Sequence, residues 1–263
     1  MLAWFLRTLR WGRVRRPAAE PGLADLRRLS PGDFSQLLSG DQVEAARWVR
    51  AAAVQGITAA QVRLGRMLLE GTGVPKDAAA ALRWFMTAAR DGDAEAKNMV
   101  GRCFENGWGA RVDMEAAASW YRRAAERGDA WGQYNLGHLL LDGNGVARDH
   151  AAAFAWYSRA AAQGHARALN LVGRCLEHGW GTPRDPAAAA RAYRQSAEGG
   201  YFRGQYNYAT LLLAAGRRAD ALAWLGRAAG GGPPALRVRI GEMLAALEAA
   251  PPRSAAAELA GPA

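Results

Sequence analysis

Lysine is almost missing from this 263-residue chain: only Lys76 and Lys97 occur, and arginine carries nearly all of the positive charge. With abundant alanine and glycine, this is the coding bias of a GC-rich genome, most simply a bacterial one. The net charge of +10 is therefore partly compositional habit. It permits acidic partners, membrane surfaces or nucleic acid and demands none of them. Cysteine is equally scarce. Cys103 and Cys175 make no disulfide framework, and nothing points to an oxidising compartment. Valine, isoleucine and threonine are sparse, which favours helix over sheet. No run of 18 apolar residues is present, so no segment is expected to span a membrane.

Catalytic patterns are missing as well. The four histidines, His138, His150, His165 and His178, share no metal-ligand spacing, and there is no G-x-S-x-G elbow or P-loop. Carboxylates are spread along the chain and do not converge. The sequence therefore predicts no enzyme, no cofactor and no metal.

What is present is a period. Segments 57–92, 93–128, 129–164 and 165–200 align without a gap. Glycine pairs recur at 36-residue steps, as Gly71/Gly73, Gly107/Gly109, Gly143/Gly145 and Gly179/Gly181. Asp77, Asp113, Asp149 and Asp185 follow them. Single glycines also recur at Gly65, Gly101, Gly137 and Gly173, and at Gly92, Gly128, Gly164 and Gly200. A worn copy continues over 201–232, a degenerate first copy is expected over 23–56, and 233–248 is expected to be a capping helix.

Each recurring residue has a physical reading. The G-x-G loop ends a first helix, and the aspartate caps a second. Pro186 sits where a first helical turn tolerates proline. Small residues let neighbouring helices approach, and one aromatic such as Trp84 or Trp120 is expected to fill the groove between them. The fold class predicted is all-α: a right-handed α-α superhelical solenoid of 36-residue two-helix repeats.

The string A-x-x-x-L-G-x-x-[YL]-x-x-G-x-G-V-x-x-D-x-x-x-A-x-x-W-[YF]-x-x-A-A-x-x-G closely resembles the Sel1-like repeat, a cousin of the tetratricopeptide repeat. The third unit matches best, through Leu136-Gly137, Gly143-Asn144-Gly145-Val146, Asp149, Ala153, Trp156-Tyr157, Ala160-Ala161 and Gly164. The resemblance implies an adaptor that holds another protein, and it implies neither one partner nor one reaction. Some secreted bacterial relatives carry a cysteine pair in each repeat and were described as penicillin-binding. Here Cys103 and Cys175 stand two repeats apart, beyond disulfide reach, so that hydrolase-like reading is the weakest alternative.

In the tetratricopeptide fold the first helix of each unit lines a concave groove. By that resemblance the groove pairs are Val62/Arg66, Asn98/Arg102, Tyr134/His138, Asn170/Arg174 and Tyr206/Thr210. Glu95, Trp131, Arg167 and Arg203 join them one turn back. The binding set expected is Arg66, Asn98, Arg102, Trp131, Tyr134, His138, Asn170, Arg174 and Tyr206, facing an extended or acidic partner segment. RNA is the alternative suggested by the pI of 10.4, but Tyr134 and His138 interrupt any basic stripe.

A second period of 72 overlies the first. Asn98-Met99-Val100-Gly101-Arg102-Cys103 is answered by Asn170-Leu171-Val172-Gly173-Arg174-Cys175. Gly132-Gln133-Tyr134-Asn135 is answered by Gly204-Gln205-Tyr206-Asn207. Duplication of a two-repeat block accounts for the period but not for the residues kept. Trp108 and Trp180 sit inside G-x-G loops, either as interface anchors or folded over their own hairpins. The two cysteines read as small buried residues.

The ends differ from the middle. Residues 1–16 hold Leu2, Phe5, Leu6 and Leu9 at helical spacing with five arginines and no acid. This reads as a basic amphipathic helix for an anionic membrane surface; in a eukaryote the same string would pass as a mitochondrial presequence. Residues 17–22 read as a linker and 249–263 as a disordered tail. A cytoplasmic, membrane-peripheral location is expected.

Overall fold

A computed structural model of the chain describes residues 21–28, 36 and 39–249. The amphipathic helix expected over 1–16 and nearly all of the expected tail lie outside the described residues. Among those described, every regular element is a helix.

After the short α1 (Leu23–Arg28) come α2 (Gln42–Val54), α3 (Thr58–Glu70), α4 (Ala78–Arg90), α5 (Ala94–Asn106) and α6 (Met114–Glu126). They are followed by α7 (Ala130–Asp142), α8 (His150–Ala162), α9 (Ala166–His178), α10 (Pro186–Glu198), α11 (Phe202–Ala214), α12 (Arg218–Gly231) and α13 (Pro234–Ala249). The ten helices from α2 to α11 each have 13 residues. The contacts divide the chain into two compact units. Of the described residues, one unit holds those up to Asp93 together with Trp108–Ala110, and the other holds Ala94–Gly107 and those from Arg111 to Ala249.

The aspartates cap as expected. Asp77, Asp113, Asp149 and Asp185 accept from the backbone N–H of Ala80, Ala116, Ala152 and Ala188 at 2.8, 2.8, 2.9 and 2.8 Å. Pro186 opens α10. The G-x-G loop does more than end a helix. Its second glycine lies against the start of a helix about one repeat upstream. A Cβ on Gly73 would stand 1.9 Å from the Gln42 carbonyl oxygen, and one on Gly109 would stand 2.3 Å from that of Ala78. In the second unit the same steric block falls at Gly145 against Met114 and at Gly181 against His150, both 2.3 Å or closer. These glycines also have φ near +70°, so two independent reasons exclude a side chain there.

The mid-helix glycines meet a ring, but not the tryptophan expected. Phe85, Tyr121, Tyr157 and Tyr193, each one residue after that position, are 0–1% exposed. A Cβ on Gly65, Gly101, Gly137 or Gly173 would stand 2.5–2.7 Å from those rings. Trp84, Trp120 and Trp156 are half-buried. Trp120 and Trp156 instead lie under an arginine one turn on, with Arg123 and Arg159 at 4.7 and 4.5 Å from the ring centroids. Position decides between neighbours: three-residue spacing carries the tryptophan to the rim while its successor points inward. In the fifth pair the device changes in concert, with Ala209 replacing the glycine and Leu225 the ring, both 0% exposed.

The 72-residue alternation has a physical content. Asn135 Nδ2 donates to Asn98 Oδ1 at 2.9 Å, and Asn207 Nδ2 to Asn170 Oδ1 at 2.8 Å. Gln61, Gln133 and Gln205 each donate through Nε2 to a carbonyl eight residues back, those of Ala53, Ala125 and Ala197. Tyr121 Oη donates to Glu105 Oε2 and Tyr193 Oη to Glu177 Oε2, both at 2.6 Å. Where the equivalent acid is missing, at Leu141, the buried Tyr157 hydroxyl finds no hydrogen-bond partner among the described residues. Where Leu69 stands, the ring is Phe85 and no hydroxyl arises.

Two predictions follow from this packing. Gly137→Ala gains about 1 kcal/mol of helix propensity, but the Tyr157 ring at 2.7 Å cannot give way, so a net loss of about 1–2 kcal/mol is expected in denaturant melts. Adding Tyr157→Leu, which copies the Ala209/Leu225 pair, should recover most of it. Tyr193→Phe should cost about 1 kcal/mol by losing the hydrogen bond to Glu177, whereas Tyr157→Phe should be neutral or stabilising.

Candidate functional site

The first helices of the second unit, α5, α7, α9 and α11, place the predicted residues in two kinds of setting. Asn98 and Asn170 are 5% and 3% exposed and hold the neighbouring repeat through Asn135 and Asn207. Their first duty is structural, because one amide oxygen is already engaged. Val62 is buried on α3, and Arg66 is exposed on the same helix in the first unit. Arg102 is half-buried with Nη1 3.7 Å from Met99 Sδ. Thr210 Oγ1 donates to the Asn207 carbonyl at 2.7 Å.

The remaining residues form two patches. In the first, Trp131 is 45% exposed, stands perpendicular to His165 at 4.5 Å, and has the Arg167 guanidinium over its ring at 5.1 Å. Tyr134 lies beside both, its hydroxyl 3.1 Å from His138 Nε2. Arg167 also stands over Tyr201, 5.7 Å away. An edge-on aromatic ladder of this kind offers π faces and cationic edges side by side.

The second patch is a cavity of about 370 Å³ among α9, α11 and α13. Its polar wall consists of Asn170, Arg174, Arg203, Tyr206, Asn207 and Arg239. Phe202, Pro233 and Leu236 supply an apolar wall. Each guanidinium is steadied by a ring: Arg174 over Trp180 at 5.0 Å, Arg203 over Phe202 at 5.9 Å and Arg239 over Tyr206 at 5.4 Å. None of the three has a carboxylate within ion-pair distance among the described residues.

The two patches share one electrostatic environment. Burial pushes the Tyr134 hydroxyl up, while Arg167 and Arg203 pull the other way. Burial pulls the His138 pKa down, Asp142 and Glu105 oppose this, and Arg174 and Arg203 add to it. Arginines from α9 and α11 therefore lie close enough to act on side chains of α7.

Sequence reasoning missed His165, Tyr201 and Arg239. His165 was findable, since it takes the N-cap place held by Asp129 one repeat earlier; its Nδ1 accepts from Ala168 N–H at 3.2 Å. Arg239 comes from outside the repeat frame and left no periodic signal. Trp180 folds back under Arg174, beside His178 at 4.8 Å. The cysteines are buried and unpaired, and burial pushes both thiols up to about 11. Among the described residues no three His, Cys, Asp or Glu side chains could hold a metal, and no helix is long and apolar enough to cross a membrane.

The Sel1 repeat profile matches residues 58–93, 94–129, 132–165 and 166–201. Among solved structures, a Sel1 repeat protein from Oxalobacter formigenes is 29% identical, with a TM-score of 0.74, over 81% of this chain and 89% of its own. A protective antigen present in uropathogenic Escherichia coli strains, displaying an SLR fold, is 32% identical with a TM-score of 0.71 over 83% of this chain. This chain spans about half, 49%, of that protein's length. A sel1 repeat protein from Klebsiella pneumoniae subsp. pneumoniae, 20% identical with a TM-score of 0.51, shares the fold. No curated protein matches the chain.

His165 makes the stability of this face depend on pH. Its folded pKa is lowered, by burial first and Arg167 second, so the unfolded chain binds the proton more readily. Its contribution is complete above the ordinary histidine value near 6.5 and is lost as pH falls from there towards the lowered value. His165→Asn keeps an N-cap acceptor without a charge change, and should flatten the loss of melting temperature between about pH 7.5 and pH 5.

Proposed function

The chain belongs to the Sel1 repeat family, and from that premise we propose that it is a non-enzymatic adaptor that holds an extended, acidic segment of another protein along the first-helix face of its second unit. One observation carries the reading: Arg174, Arg203 and Arg239 line a single cavity with no carboxylate partner among the described residues. Unpaired guanidiniums held in place on aromatic rings lose little conformational freedom when they grip a carboxylate in a planar fork. The ladder of Trp131, Tyr134 and Tyr201 supplies rigid apolar surface beside them.

The fold supports the same reading. Stacked hairpins of this family generally form non-catalytic scaffolds, and a scaffold needs one continuous face built from equivalent positions in successive repeats. Residues 1–16 would add a membrane-surface contact, with the repeats held at the cytoplasmic side.

The test is affinity purification of the intact chain beside the double variant Arg174→Glu/Arg203→Glu, followed by titration of the purified partner. Charge reversal should weaken the identified partner at least about tenfold while the helical signal is unchanged. Equal recovery by both proteins would overturn the reading.

A further inference from the structure

The cavity among α9, α11 and α13 has a composition more selective than a groove for any acidic segment requires. Three arginines line it from three different helices, Arg174 from α9, Arg203 from α11 and Arg239 from α13. A planar carboxylate accepts a forked pair of N–H groups in its own plane, and one arginine suffices for that. Arginines arriving from three directions suit an anion whose oxygens are distributed tetrahedrally and which carries more than one negative charge. Among the described residues, no acidic side chain lines the cavity to balance them.

The neutral walls agree with this. Asn207 donates to Asn170 Oδ1, and the Asn170 amide N–H groups have no partner among the described residues, so a further donor stands in the wall. The apolar side, Phe202 and Leu236, accepts the carbon body of an ester and not a fully hydrated ion. At about 370 Å³ the space matches a small organic group instead of a bare oxyanion.

We propose that this cavity takes a phosphomonoester dianion. As a property of a partner segment the inference rests on the adaptor reading; as a property of the cavity it stands apart from it. Arg174, Arg203 and Arg239 neutralise the phosphoryl oxygens, Asn170 adds a neutral donor, and Phe202 and Leu236 face the esterified carbon.

Calorimetric titration of the full chain tests this with three probes of similar size: phenyl phosphate, its monoanionic methyl ester and benzoate. Phenyl phosphate should bind saturably and at least about tenfold more tightly than either control. Arg203→Gln and Arg239→Gln should each weaken it about tenfold, whereas Arg227→Gln, which stacks on Trp224 away from the cavity, should not. Equal binding of benzoate or the methyl ester, no saturable binding in the millimolar range, or indifference to a folded Arg239→Gln variant would overturn the proposal. A phosphoserine peptide free of other charge separates the sources: tighter binding than phenyl phosphate assigns the group to a protein partner, and equal or weaker binding assigns it to a free metabolite ester. The small probes carry no peptide. Lost phosphate binding with partner capture intact therefore removes this site alone, and the opposite result removes the adaptor reading alone.

Discussion

A buried ring pressed against bare backbone is the contact on which each hairpin closes. Phe85, Tyr121, Tyr157 and Tyr193 fill the space that a side chain on Gly65, Gly101, Gly137 or Gly173 would need. The ring occupies the glycine's missing volume, so each pair closes with a side chain packed directly on helix backbone and no void between them. The fifth pair shows that volume is the conserved quantity within this chain. When alanine takes the glycine's place at 209, the partner shrinks to Leu225, and both stay fully buried.

Close approach within a pair fixes what can happen between pairs. With backbones held near, the loop glycines Gly145 and Gly181 fit directly onto the starts of α6 and α8, and asparagine amides reach across to the next repeat. These polar contacts are buried or part-buried, so each is worth more than a surface bond and costs more when unmade. That accounts for the 72-residue rhythm. Alternate repeats divide the work: one offers an asparagine acceptor and a glutamate for the tyrosine, the next an asparagine donor and a glutamine. Tyr157 is where the rhythm leaves a gap, since its repeat carries Leu141 instead of a glutamate.

Much of this was legible in the order of residues. The loop glycines, the capping aspartates and the helix-middle glycines each have one physical explanation, and the structure uses them so. The aromatic was misplaced by one residue, because tryptophan and its neighbour are both large and only the helix phase says which turns inward. Asn98 and Asn170 looked like groove donors because their partners lie 37 residues on, in a different repeat, and no local pattern advertises them. The arginine cavity was half legible: Arg174 and Arg203 follow the repeat frame, whereas Arg239 comes from the last helix, where periodicity has ended.

That last helix changes what the face can do. A repeat frame by itself spaces equivalent side chains one helix pair apart, which suits an extended ligand read at intervals. Placing α13 at the end of the second unit brings Arg239 over Tyr206, into the lining of the same cavity as Arg203 and Arg174. The first-helix face and the open-sided cavity therefore share Tyr206 and Arg203. A ligand spanning both would be gripped along its length by the aromatic ladder and fixed in register by the charge it delivers to the pocket. Register is the quantity a repeating surface cannot set alone, since each repeat looks much like the next. If the proposed partner binds here, the non-repeating helix would supply the asymmetry that sets it.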